Sequence, residues 1–126
     1  KIEERVYPGE EAVGQGGALV LWVEREHALL GASSLAERGK PSERVGEEAA
    51  AALDAEILSN ATVDLHEADQ IVAYLALADR PSSFLVREVT GHLRTMAWLL
   101  PQFLGRTIEF QGIGDLTRVK VGGPSA

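Results

Sequence analysis

From Ser42 to Ala78 the apolar side chains fall three and four residues apart, and from Arg106 to Val121 they fall two apart. No single kind of element satisfies both spacings: the first is the stripe of a helix packed on one face, the second the one-sided pleat of a strand. The chain must therefore combine helices and strands, and the Pro, Gly and Asn residues between the periodic runs decide where each stops. In "SERVGEEAAAALDAEIL" the stripe Val45, Ala49, Ala52, Leu53 and Ile57 predicts a helix that begins after Pro41 and ends at Asn60. In "LHEADQIVAYLALA" the stripe Ala68, Ile71, Val72 and Leu75 predicts a second, closed by "DRPSS" because Pro81 cannot continue it. A third follows Thr90, a good N-cap, with Leu93, Met96, Ala97, Leu99, Leu100 and Phe103 recurring along it.

The remaining runs read as strands. "ALVLWVE" is rich in branched and aromatic residues and predicts a buried strand, with "HALLGA" as its hairpin partner across a turn at Arg25 and Glu26. "FLVRE" is a short strand. "RTIEFQ" and "LTRVKV" alternate as half-buried strands joined by "GIGD", where glycine permits a positive φ. The predicted order is strand, strand, helix, helix, strand, helix, strand, strand. That order implies an α/β (α+β) fold, a mixed sheet with helices packed on it, forming one domain over residues 1–126 with a frayed tail over 122–126.

Composition narrows the function classes. With 45% apolar residues in 126, the chain can bury a core. It has no cysteine, so it offers no disulfide and no thiolate metal site, which agrees with a reducing cytoplasm as its expected location. His27 and His66 are too isolated for zinc, and no metal site is expected on this chain. "GALVLWV" and "AWLLPQFL" are too short to cross a bilayer, so no membrane partner is expected. A chain that opens on lysine is expected to be a piece of a longer protein.

The net charge of −7 argues against binding nucleic acid through a generally basic surface. The charge is uneven, however. Residues 80–126 carry six Arg and Lys against Glu88, Glu109 and Asp115, a balance of +3 that leaves −10 on residues 1–79. Phosphate contacts are therefore expected from the C-terminal half.

Four stretches bear on chemistry. "GQGG", residues 14–17, precedes a strand rather than opening a helix, so it lacks the helix-terminal N–H groups of a phosphate cradle. Arg38, Lys40 and Arg44 lie around a helix start, either as an anion site or as partners for Glu37, Glu43, Glu47 and Glu48. In "DLHEADQ", Asp64, His66, Glu67, Asp69 and Gln70 crowd another helix start, with Asp69 and Gln70 off the apolar stripe. In "VTGHLRT", His92 falls in the first turn after Thr90. Unsatisfied N–H groups there suit a neutral imidazole, which is a nucleophile; the plainer reading is a histidine that only bonds locally.

Taken together, "LGASSLAERGKPSERVGEEAA", "ATVDLHEADQIVAYLALA", "VTGHLRT" and "FLGRTIEF", in this order and spacing, closely resemble the C-terminal part of the RNA 3'-terminal phosphate cyclases. The resemblance runs from about Gly14 to Val121 and implies the last of that family's βαβαββ repeats, with one helix extra. It implies ATP and a divalent metal, magnesium or manganese, the metal held mainly through ATP and an N-terminal region outside these residues. It also implies His92 as the nucleophile that attacks the α-phosphate of ATP, forming a histidine adenylate on the way to a 2',3'-cyclic phosphate at an RNA 3'-phosphate end. By the same match, His66 lies against the adenine face and Asp69 and Gln70 beside the nucleotide. Thr95 completes the family's His-x-x-Thr, while Met96 stands where asparagine is common. The alternative of another class is a non-catalytic cyclase-like scaffold in ribosome assembly, whose members lack the histidine; a third is an interaction module without a ligand. Alone, the chain is expected to be inactive and, with its sheet cut short, open to self-association.

Overall fold

The computed structural model describes residues 1–11 and 14–122. Eight elements follow in the expected order: β1 (Ala18–Glu24), β2 (Leu29–Leu35), α1 (Ser42–Ser59), α2 (Leu65–Leu77), β3 (Ser82–Val86), α3 (Gly91–Leu104), β4 (Ile108–Ile113) and β5 (Leu116–Val121). The stops are those that the sequence marks. Asn60 ends α1 in the left-handed region, with φ 60°. Asp64 and Thr90 cap α2 and α3 through their side chains. Gly114 takes φ 57° in the two-residue turn between β4 and β5, a value glycine adopts without strain.

The mixed helix-and-strand class holds in its α+β form, but the expected mixed sheet is instead two small sheets, both entirely antiparallel. β1 and β2 form a hairpin closed over Arg25–Ala28, where the Arg25 N–H donates to the Ala28 carbonyl at 2.7 Å. The second sheet has the order β3-β5-β4. β3 and β4, joined through α3, run parallel to each other, yet β5 lies between them and opposes both. α1 comes between the hairpin and the later strands in sequence and covers one face of the hairpin.

The main core lies where α2 and α3 cover one face of the second sheet. It joins Val63, Ala68, Val72 and Ala76 to Phe84, Val86, Leu93, Val119 and Val121. Along α3 the inward stripe is Leu93, Met96, Leu100 and Leu104. Leu104 returns beneath Leu93 after about three turns of 3.6 residues, whereas Phe103, expected on that stripe, turns outward and is 77% exposed. β1, expected to be buried, has no buried residue: Leu19, Leu21 and Val23 are half-covered, while Val20 and Trp22 face outward. A two-stranded sheet with one helix on it has only one covered face.

The hairpin unit is joined to the main core by polar ties. Gly31 N–H donates to Asp64 at 2.8 Å, and Arg87 pairs with the buried Glu56 at 2.9 Å. Thr62 N–H donates to the Leu85 carbonyl at 3.0 Å beside β3. Of the tail expected to fray, residues 123–126 lie outside the described residues, and Gly122 N–H donates to the Thr107 carbonyl at 2.7 Å.

Candidate functional site

The site is built from the two capped helix starts. At the first, Asp64 spends both carboxylate oxygens on the backbone. Oδ1 accepts the N–H groups of His66 at 2.9 Å and Glu67 at 2.8 Å, and Oδ2 accepts that of Gly31 on β2. One side chain thus caps α2 and holds its first turn against the face of the hairpin that α1 leaves open. Between them runs a groove of about 660 Å³, walled by Trp22, Leu29, His66, Gln70, Ile71 and Tyr74. Trp22 pairs across the hairpin with Gly31, so no side chain of β2 stands directly opposite the indole. Glu67 also lines the groove, and its carboxyl is held above the usual range first by burial and then by the charge of Asp64.

At the second helix start, Thr90 Oγ1 accepts the Leu93 N–H at 3.0 Å and donates its own proton to Asp69 Oδ1 at 2.5 Å. His92 lies in this capped first turn with its side chain exposed. The Thr95 hydroxyl donates to the Gly91 carbonyl at 2.9 Å, so the second member of the His-x-x-Thr pair bonds the backbone just ahead of the histidine.

The four residues singled out from the sequence fall into two pairs. His66 and Gln70 line the groove, whereas Asp69 and His92 belong to the Thr90 cap. α2 is common to both, since it carries His66, Asp69 and Gln70 and packs against α3. Sequence reasoning missed Trp22 and Tyr74 as groove walls, because apolar spacing cannot show that a face stays uncovered. It also missed the bridge from Thr90 to Asp69, although the cap itself was legible.

The groove offers aromatic and imidazole faces for a planar ligand and an amide for its edge. In the basic cluster near α1, Lys40 and Arg44 are engaged otherwise. Lys40 bonds Glu37 at 3.1 Å and Glu48 at 2.9 Å, and Arg44 bonds Glu48 at 3.2 Å. In the C-terminal half, Arg118 and Lys120 line a second hollow of about 400 Å³ with Ser82, Ser83 and Glu109. They alternate with Val119 and Val121 of the core and so point to the other side of the sheet. Among the described residues, no group of three His, Cys, Asp or Glu is placed to hold a metal ion, and no helix is long and apolar enough to cross a membrane.

The architecture defines the chain's class as an α+β protein with two small antiparallel sheets. Comparison with known proteins then shows what the chain is similar to. The sequence model of the RNA 3'-terminal phosphate cyclase insert domain matches residues 1–58, which hold the β1–β2 hairpin and most of α1. An RNA 3'-terminal phosphate cyclase of Nitrosospira multiformis is 49% identical over 115 residues, covering 91% of this chain and 33% of that protein. Those of Thermococcus onnurineus and Methanopyrus kandleri are 42% and 40% identical, each covering 89% of this chain and 33% of the relative. Over most of its length the chain is similar to these RNA 3'-terminal phosphate cyclases, and residues 1–58 match the insert domain of that family. It spans about a third of the length of these relatives.

Proposed function

We propose that this chain is the part of an RNA 3'-terminal phosphate cyclase that carries the attacking histidine. The observation that supports this most directly is the exposed imidazole of His92 in the capped first turn of α3, where helix N–H groups face an incoming anion. A ring nitrogen of His92 attacks the α-phosphorus of ATP. The P–N bond forms, the P–O bond to pyrophosphate breaks, and the ring releases its proton. The adenylyl group then passes to an RNA 3'-phosphate, freeing His92. The adjacent 2'-hydroxyl attacks that phosphorus, and AMP leaves as the 2',3'-cyclic ester closes.

In this reading the groove takes the adenine, with His66 against its face and the Gln70 amide at its edge. Its volume of about 660 Å³ is that of a small-molecule site. A divalent ion, magnesium or manganese, would neutralise charge on the triphosphate. The described residues hold no donor cluster for it, so it would come with the nucleotide and be held from outside this chain. For the same reason the chain alone is not expected to complete the reaction.

The test is to incubate the chain and the full-length protein with ATP labelled at the α-phosphate and either metal, beside His92→Ala versions. Acid-labile label retained by the full-length protein and lost with His92→Ala is the expected result. No label on the full-length protein with either metal would overturn the reading and favour the scaffold in ribosome assembly.

A further inference from the structure

Asp69 makes its contact at the start of α3, although α2 carries its neighbours to the groove. The chemistry of that contact is specific. A threonine hydroxyl has one proton, and as an N-cap it uses only its lone pairs, here on the Leu93 N–H at 3.0 Å. Its proton must go elsewhere. Asp69 takes it at 2.5 Å, and a carboxylate is a stronger acceptor than a neutral oxygen. With the proton committed, the Thr90 side chain is held in the rotamer that keeps its lone pair on Leu93. His92 lies between those two residues, inside the loop that the cap closes. One helix therefore sets both the groove wall, through His66 and Gln70, and the turn that presents His92, through Asp69.

We infer that Asp69 is a positioning residue for the step at His92, acting through Thr90 to fix the imidazole relative to a nucleotide in the groove. This rests on the reading of His92 as nucleophile. A carboxylate that held the nucleotide itself would govern affinity, whereas one that holds the attacking helix governs the rate once nucleotide is bound.

The experiment is single-turnover label transfer from α-labelled ATP in the full-length protein, comparing Asp69→Ala, Asp69→Asn, Thr90→Ser and Thr90→Val. Asp69→Ala is expected to lower the saturating rate by roughly tenfold to a hundredfold, as misplacing a reacting group does, with half-saturating ATP changed by less than about twofold. Asn keeps an acceptor and Ser keeps the hydroxyl, so both should restore most of the rate, and Thr90→Val should behave like Asp69→Ala. A raised half-saturating ATP at an unchanged saturating rate would make Asp69 a nucleotide ligand and overturn the inference. Neither value changing would overturn it equally. If Asp69→Ala fails to fold, judged by loss of helical circular dichroism, the Ser and Val variants at Thr90 decide. Absence of label on the unsubstituted protein is a different failure: it removes the reading of His92, and this inference with it.

Discussion

At the scale of single residues, two carboxylates do the joining. Asp64 receives three backbone N–H groups, two within α2 and one from β2, and is nearly buried at 8% exposure. Asp64→Ala leaves all three donors without that acceptor. The loss of the cap together with an unpaired buried donor is expected to cost about 2 kcal/mol, read as a lower denaturation midpoint at unchanged slope. Glu56 differs in kind. It is 3% exposed on α1, and its described partner is Arg87 in the segment after β3, at 2.9 Å. Its other oxygen is buried without a hydrogen bond. Arg87→Ala would leave a buried carboxylate uncompensated, at about 3 kcal/mol. The exposed Arg44, by contrast, should cost under about 0.5 kcal/mol when replaced by alanine; equal losses in the two variants would contradict this account.

At the scale of elements, the order of all eight was legible because period, cap and breaker residues agreed at each boundary. Asp64 before an apolar stripe, Thr90 before another, and Asn60 and Gly114 at positions needing positive φ are local signals, and local backbone chemistry acted on them. What covers each face is a property of packing, so it was not legible. Trp22 and Val20 have the same apolar character as Val119 and Val121, yet the first pair faces an open groove and the second lies in the core. Glu56 is buried where α1 meets Arg87, which helical spacing alone cannot reveal. The candidate site was legible as residues and not as geometry: His66 and Gln70 share the groove, while the bridge from Asp69 to Thr90 needs the two helices side by side.

The joint between β2 and α1 gives a prediction at the same scale. Glu48 is held below the usual carboxylate range by its hydrogen bond from Lys40 and then by that from Ser34. Lys40 is raised above the usual lysine range by Glu48 and then Glu37. A lowered acid contributes stability above its ordinary pKa and loses it as pH falls through the lowered value; a raised base contributes below its ordinary pKa and loses it as pH rises through the raised value. The cluster should therefore contribute a constant amount across neutral pH. Denaturation midpoints of the natural chain and Glu48→Gln should differ by that amount near neutrality and converge toward the acid end. A difference that grew on acidification would have the wrong sign.

At the scale of the whole molecule, stability is unevenly spread. The main core contains Val72, Val86, Leu93 and Val119 with no appreciable exposure, whereas β1 has no buried side chain. Amide hydrogen exchange should divide accordingly, with β5 and the buried turns of α2 and α3 opening only on global unfolding and β1 exchanging through local opening. Uniform protection across both sheets would show that the polar ties couple the hairpin unit more tightly than its burial indicates. This division has a functional consequence in the proposed reading. The groove is walled partly by the less buried hairpin and can adjust to a ligand, while His92 projects from a helix anchored in the core through Leu93.

The most direct test of the central claim is to find where the adenylyl group goes. The full-length protein would be incubated with ATP and magnesium or manganese, quenched under alkaline conditions that preserve a phosphoramidate, and mapped by peptide mass spectrometry. The account predicts AMP on the peptide containing His92, assigned to that imidazole by fragmentation and absent from His92→Ala. AMP on another residue, or on the His92→Ala protein at the same level, would contradict it.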